Sequence, residues 1–246
     1  MDIDVFLTSQ GVSEEDVRGR TVVIIDVLRA SSTILTALHH GARAVIPVPD
    51  MEEAGRIASN MDPSVYLLGG ERKGDRIDGY HLGNSPLEYT EEQVTGKTII
   101  LNTTNGTVAI GRAEGAAYLT VGSFLNASAV VDFIREKEKD ATLICAGHQQ
   151  RASLEDTLCA GLLLDKLWNG ERRGGISDTA HIAHTQYVQD VNTLQHTLRS
   201  GAHARALQSK GYEADVEYAV QQDSVPLVPD YIDNRLVAPP RASGGK

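Results

Sequence analysis

The chain has 246 residues, 41% of them hydrophobic, which is enough for one sizeable α/β domain or two small ones. Its 23 basic and 33 acidic residues leave a net charge of -10 at pH 7, which argues against a broad nucleic-acid footprint while allowing a local basic pocket. No apolar run is long enough to span a membrane and no charged-then-apolar leader opens the chain, so a cytoplasmic protein with no membrane partner is expected.

The first clear element is 21–25, a β-branched apolar run that reads as a strand buried on both faces. It ends on Asp26, followed by Arg29 and the hydroxyls of Ser31, Ser32 and Thr33. Ser31 or Ser32 is placed to cap a helix running to His40, with Gly41 closing it. Free amides at such a junction favour an anion, Arg29 adds a bidentate fork, and Asp26 can hold a cation or take part in phosphoryl chemistry. The plainer reading is a capped helix after an ordinary strand.

Next come a strand near 44–46 and another at 65–70, followed by Glu71, Arg72 and Lys73, a carboxylate and two cations after a buried strand. Residues 83–88 read as a helix start, with Ser85 at the cap, Pro86 first inside and Glu88 placed for a capping box, while Asn84 is a candidate ligand contact. A strand at 99–101 leads into Asn102, Thr103, Thr104, Asn105, Gly106 and Thr107, a loop suited either to wrapping donors around an oxyanion or to capping a helix. Strands near 118–120 and 142–145 follow. The helix from Ser153 is apolar in nearly every direction, yet carries Glu155 and Asp156 in its first turn. Ser153 and Asp156 could form a capping pair, but a buried helix end bearing two acids also reads as a metal contributor. Residues 178–209 read as two helices broken near Asn192, 223–229 as an extended return in which Asp223 serves a turn, and 241–246 as a disordered tail. Cys145 and Cys159 read as reduced and buried.

The chain also resembles itself. Gly19, Arg20 and Thr21 before one apolar strand match Gly96, Lys97 and Thr98 before another, and strands after Gly41 and after Gly115 continue the echo. This predicts two β-α-β-α-β units, about 19–72 and 96–148, forming two halves of one mostly parallel or mixed sheet in a three-layer α/β/α domain over 1–240, with added C-terminal helices. Ligands of such sheets lie beyond the carboxyl ends of the strands, so the loops at 26–33, 69–76, 102–107 and 145–156 are expected to converge.

Taken in order, Asp26-Val27-Leu28-Arg29-Ala30, Gly70-Glu71-Arg72, Gly83-Asn84-Ser85-Pro86, Thr103-Thr104-Asn105-Gly106-Thr107 and Glu155-Asp156-Thr157 with Cys159-Ala160-Gly161 resemble the motif set of the 2-phosphosulfolactate phosphatase family over about 1–240. The resemblance implies a magnesium-dependent phosphatase that hydrolyses 2-phospho-3-sulfolactate to 3-sulfolactate and phosphate, a step known from coenzyme M biosynthesis; members also occur where coenzyme M is not expected, so the pathway stays open between coenzyme M and other sulfonate metabolism. On this reading Asp26 is a metal ligand or nucleophile, Arg29 binds the phosphate, Glu155 or Asp156 serves the metal side, and Glu71 is a further acid for the metal. Ser31, Ser32, Arg72, Asn84 and the loop 103–107 contact the substrate. Arg29, Arg72, Lys73, Arg76 and Arg151 form a basic funnel for a small, strongly anionic phosphate ester.

Other readings are weaker. Aspartyl-phosphate hydrolases carry a second aspartate two positions after the first, where this chain has Leu28. His181, His184, His196 and His203 lack a completing acid or cysteine spacing and read as helix-face residues. A phosphatase for another small acidic ester and a non-catalytic carrier of phosphorylated metabolites are the alternatives; the separate strand-end acids favour an enzyme. A homo-oligomer is compatible with the chain, but no interface is legible.

Overall fold

A computed structural model describes residues 1–171 and 175–240. Strand β1 (Ile3–Phe6), which the sequence reading does not include, precedes the expected apolar strand β2 (Thr21–Ile25), buried at every position. There follow α1 (Ala30–His39), β3 (Ala44–Pro47), α2 (Met51–Ala58), β4 (Tyr66–Arg72) and the short β5 (Asp75–Arg76). The second half supplies α3 (Glu91–Val94), β6 (Thr98–Asn102), α4 (Gly106–Arg112), β7 (Tyr118–Gly122), α5 (Ala127–Lys137) and β8 (Ala141–Cys145). Helix α6 (Leu154–Trp168) leads into α7 (Asp178–Asp190), α8 (Leu194–Ser200), α9 (Ala202–Gln208) and α10 (Glu213–Ala219), and the hairpin β9 (Asp230–Ile232) with β10 (Arg235–Val237) closes the chain.

The α/β class and the two β-α-β-α-β halves are present, but the single sheet is replaced by two. One is all parallel, in the order β1-β8-β2-β7; the other is mixed, in the order β5-β4-β6-β3-β10-β9. The halves exchange strands. The first strand of one half, β2, lies between β8 and β7 of the other, and the first strand of that half, β6, lies between β4 and β3 of the first. A strand buried on both faces needs a neighbour on each edge, and here each half supplies those neighbours to the other.

Alternation along β2 divides its side chains between two cores. Val23 and Ile25 pack with Phe124, Leu158 and Leu163 beneath α5 and α6. Val22 and Ile24 pack with Ile34 and Leu35 of α1, Ile110 of α4, and Ile99 and Leu101 of β6. The opposite face of β6 presents Ile100 to Ala54 and Ala58 of α2. Helices thus lie on both sides of the sheets, and α1 and α4 tie one sheet to the other. Cys145 and Cys159 are buried free thiols, as expected.

The expected two helices of 178–209 are three. Besides the break near Asn192, Gly201 takes an extended conformation (φ -58°, ψ 149°) that ends α8 and redirects the chain into α9. Asp223 serves its turn: with φ +53° it accepts hydrogen bonds from the Ser128 amide and hydroxyl and faces Lys166 at 3.6 Å. Among the described residues no helix is long and apolar enough to cross a membrane. The tail 241–246, expected to be disordered, lies outside the described residues.

Candidate active site

The four loops expected to converge do so. Asp26 and Arg29 follow β2, Glu71 and Lys73 lie at the end of β4, Thr104 and Asn105 follow β6, and His148 follows β8; all line one cavity of about 410 Å³. The cavity therefore stands at the carboxyl ends of strands from both sheets. A further wall comes from α9, through His203, Ala206 and Leu207, and from Lys210 just beyond it.

Asp26 is buried, and one of its oxygens accepts the Ala30 N–H at 3.1 Å. Gly106 makes room for it, since a Cβ there would stand 2.7 Å from the other oxygen and 2.5 Å from Ala30 Cβ. Burial, and then the carboxylates of Glu71 and Glu155, push the Asp26 carboxyl up to about 6, against the opposing pull of His203 and of the Ala30 amide. Glu71 is also buried and accepts amide hydrogens from Gly74 and Thr104, both at 2.7 Å, which joins the loops after β4 and β6.

Arg29 is 3% exposed and firmly held. It donates to Asp215 at 2.7 Å and to the Gly74 carbonyl at 2.8 Å, and its guanidinium lies 4.1 Å from the centroid of the Tyr212 ring. Asp215 in turn accepts the Ser85 hydroxyl at 2.6 Å. Ser85 thus anchors Asp215 instead of forming the predicted side-chain cap. Residues Pro86–Glu88 form a 3-10 turn, and Glu88 accepts the Gly83 amide, so the predicted capping box is absent. Asn84 is held by the Thr33 hydroxyl donating to its backbone carbonyl. Asn84 lines the cavity, and its side-chain oxygen is buried and without a hydrogen-bond partner among the described residues.

Glu155 and Asp156 are both buried and point different ways, as adjacent helical residues must. Asp156 accepts amide hydrogens from Val27 at 2.9 Å and Gly147 at 3.0 Å, stapling the loop after β2 to the loop after β8. Burial first, and then the charges of Glu155 and Asp26, hold its carboxyl well above the usual carboxylate range. Ser153 occupies the N-cap position of α6 without a side-chain cap bond. Glu155 meets His203 Nδ1 at 2.8 Å, and the His203 ring stacks on His148 with centroids 3.9 Å apart and planes inclined by 21°. Burial, then the neighbouring His203, push the His148 imidazole below its usual range.

Several sequence candidates lie outside the cavity wall. Ser31 and Ser32 do not cap α1, whose N-cap is Arg29. The Ser31 hydroxyl accepts the Asp26 amide, and Ser32 bonds the Val27 carbonyl and Ser123. Thr103 and Thr107 hydrogen-bond reciprocally and shape their own loop. Arg72 is committed to Asn102 at 2.6 Å, while Arg76 and Arg151 are exposed and line no part of the cavity. Of the expected basic funnel, Arg29 and Lys73 line the cavity, joined by Lys210, which bonds Asp75 and the Lys73 carbonyl. His203, read as a helix-face residue, is the main correction: the turn at Gly201 brings it to the cavity. His148 has a weak signal in the sequence as a histidine in a strand-end loop. His203, Lys210, Tyr212 and Asp215 have none, because the docking of α9 and α10 is tertiary.

Residues 6–234 match the 2-phosphosulpholactate phosphatase family. A protein of Thermotoga maritima named probable 2-phosphosulfolactate phosphatase is 42% identical, over 89% of this chain and 92% of its own length. Proteins with the same name from Caldanaerobacter subterraneus subsp. tengcongensis and Clostridium acetobutylicum are 38% and 37% identical, covering 93% and 96% of this chain and 95% and 100% of their own lengths. The chain belongs to the 2-phosphosulfolactate phosphatase family. It is therefore an enzyme of the phosphoric monoester hydrolase class.

The donor set of this family member is made of oxygens. Among the described residues no three His, Cys, Asp or Glu side chains gather as a ready metal-binding group. The cavity is lined by two buried carboxylates, Asp26 and Glu71, close enough for Glu71 to raise the Asp26 carboxyl, and by Asn84, whose buried side-chain oxygen has no hydrogen-bond partner among the described residues. Such a set fits a hard divalent cation that keeps several waters and binds through one or two carboxylates plus a phosphate.

Proposed function

We propose that this chain is a magnesium-dependent phosphatase that hydrolyses 2-phospho-3-sulfolactate to 3-sulfolactate and phosphate. The observation that carries the reading is the meeting of two buried carboxylates, Asp26 and Glu71, with the guanidinium of Arg29 in one cavity at the strand ends. Asp26 and Glu71 would hold the cation, with the side-chain amide oxygen of Asn84 as a candidate third oxygen. Bound there, magnesium supplies positive charge that neutralises the phosphoryl group and orients an attacking oxygen.

The chain's own residues supply the rest. Arg29 uses one N–H on Asp215 and one on Gly74, which leaves other guanidinium donors for phosphate oxygens. The Asp215 and Tyr212 contacts fix its plane before the substrate arrives, so its stabilisation of phosphoryl charge costs little reorganisation. Lys73 and Lys210 line the same cavity and suit the carboxylate and sulfonate of the substrate. The apolar wall from Leu28 and Leu207 excludes water and strengthens each of these interactions. The product would be a sulfonated hydroxy acid, which would place the reaction in coenzyme M biosynthesis or in other sulfonate metabolism.

Phosphate release from racemic phosphosulfolactate and from a panel of other small phosphate esters, with magnesium and in excess chelator, tests the reading. We expect magnesium-dependent release with phosphosulfolactate as the preferred ester. Preference for another acidic ester would retain the phosphatase and replace the substrate, while tight ester binding with no release of phosphate would overturn the enzyme in favour of a carrier.

A further inference from the structure

We infer that His203, oriented by Glu155, is the proton donor to the leaving-group oxygen of the phosphate ester. The inference rests on the phosphatase reading and deepens it. His203 lines the cavity that holds Asp26, Glu71 and Arg29. Its Nδ1 lies 2.8 Å from a Glu155 carboxylate oxygen, and the assignment gives Nδ1 the hydrogen of that bond, with Glu155 as the acceptor. Nε2, on the opposite edge of the ring, is the nitrogen left for a ligand.

The ring is gripped on two sides. Glu155 fixes its edge, and the stacked ring of His148, 3.9 Å away, fixes its face. Glu155 is itself 2% exposed, at the buried start of α6, so the acceptor is as well anchored as the ring it holds. A buried carboxylate orienting a histidine that lines a ligand cavity is the arrangement used for directed proton transfer. It also explains why a largely apolar helix opens with two acids: Asp156 staples the strand-end loops, and Glu155 holds the histidine.

An alkyl phosphate needs this donor because its leaving alkoxide is strongly basic. In the step, a water oxygen forms a bond to phosphorus as the bond from phosphorus to the ester oxygen breaks. The electron pair of the broken bond stays on the ester oxygen, which takes the proton from Nε2 of His203. The water keeps one hydrogen in the phosphate product and releases the other to solvent, from which His203 is reprotonated. The products are the alcohol and hydrogen phosphate.

Leaving-group dependence tests the assignment, with phosphosulfolactate as the alkyl ester and 4-nitrophenyl phosphate as an ester whose leaving group needs no proton. His203→Asn keeps a side-chain donor near the Nδ1 position and deletes Nε2. We expect it to lower turnover of the alkyl ester about 100-fold or more and of the aryl ester less than about fivefold. Glu155→Gln should have a smaller effect with the same bias towards the alkyl ester, a pattern that a purely structural contact would not produce. Thermal unfolding and the KM for 4-nitrophenyl phosphate establish that each variant is folded with its phosphate site intact. Equal losses on the two esters, or no loss on the alkyl ester, would overturn the role of His203 and leave the phosphatase reading standing. A wild-type protein that hydrolyses neither ester would overturn both.

Discussion

Asp26 is the residue on which chemistry and stability pull in opposite directions. Its carboxyl is pushed up to about 6 from an ordinary 3.8, chiefly by burial. The folded state therefore binds a proton more readily than the unfolded chain. The ionised carboxylate destabilises the metal-free protein fully above about pH 6, and the penalty fades as pH falls towards 4. A displacement of that size corresponds to about 3 kcal/mol between the protonated and ionised forms. Asp26→Asn keeps the acceptor for the Ala30 amide and removes the charge. Metal-free Asp26→Asn should thus unfold at a higher temperature than wild type at pH 8, with the advantage shrinking between pH 6 and pH 4, while its phosphate release falls at least about 100-fold. A lower unfolding temperature at pH 8, or retained turnover, would contradict this account of Asp26. The residue was legible in the sequence because the signal is local: a carboxylate ending a wholly apolar strand. Arg29, Glu71, Thr104 and Asn105 stand in loops that follow apolar strands, and Asn84 in a local turn motif, so their candidacy was also legible. His203 was not, because nothing near it in the chain says which face of α9 meets the sheet edge.

At the scale of elements, the loops are held by side-chain acceptors rather than by the helix caps that the sequence suggests. Ser31, Ser85 and Ser153 stand where caps are expected, yet the first two bond to neighbouring loops and residues, and α6 has no side-chain cap bond at Ser153. Motifs of serine followed by an acid describe local possibilities, and tertiary partners outcompete them in buried surroundings. Asp156 shows the consequence. Removing both oxygens leaves the buried amides of Val27 and Gly147 unsatisfied. Asp156→Ala should cost about 1–3 kcal/mol and should leave the magnesium concentration for half-maximal activity unchanged. Denaturant unfolding with a magnesium titration separates these effects. Wild-type stability would dispose of the staple, and a large rise in the magnesium requirement would give Asp156 to the metal.

For the whole molecule, the internal repeat and the α/β class could be read from the chain, but the division into two sheets could not. β2 and β6 are buried at every position, and a strand of that kind carries no alternation to indicate its neighbours. Their pairing is decided by reciprocal insertion into the other half, a property of the assembled chain. That exchange brings Asp26 from one sheet and Glu71 from the other to a single cavity, which is why the proposed cation site requires the complete fold. The measurement that tests this most directly is phosphate release from phosphosulfolactate as a function of magnesium, in wild type and in Glu71→Gln. Wild type should be silent in chelator and recover on addition of magnesium, and Glu71→Gln should need at least about tenfold more magnesium for half-maximal activity. Full release in chelator, or a wild-type magnesium response in Glu71→Gln, would contradict a cation held between the two sheets.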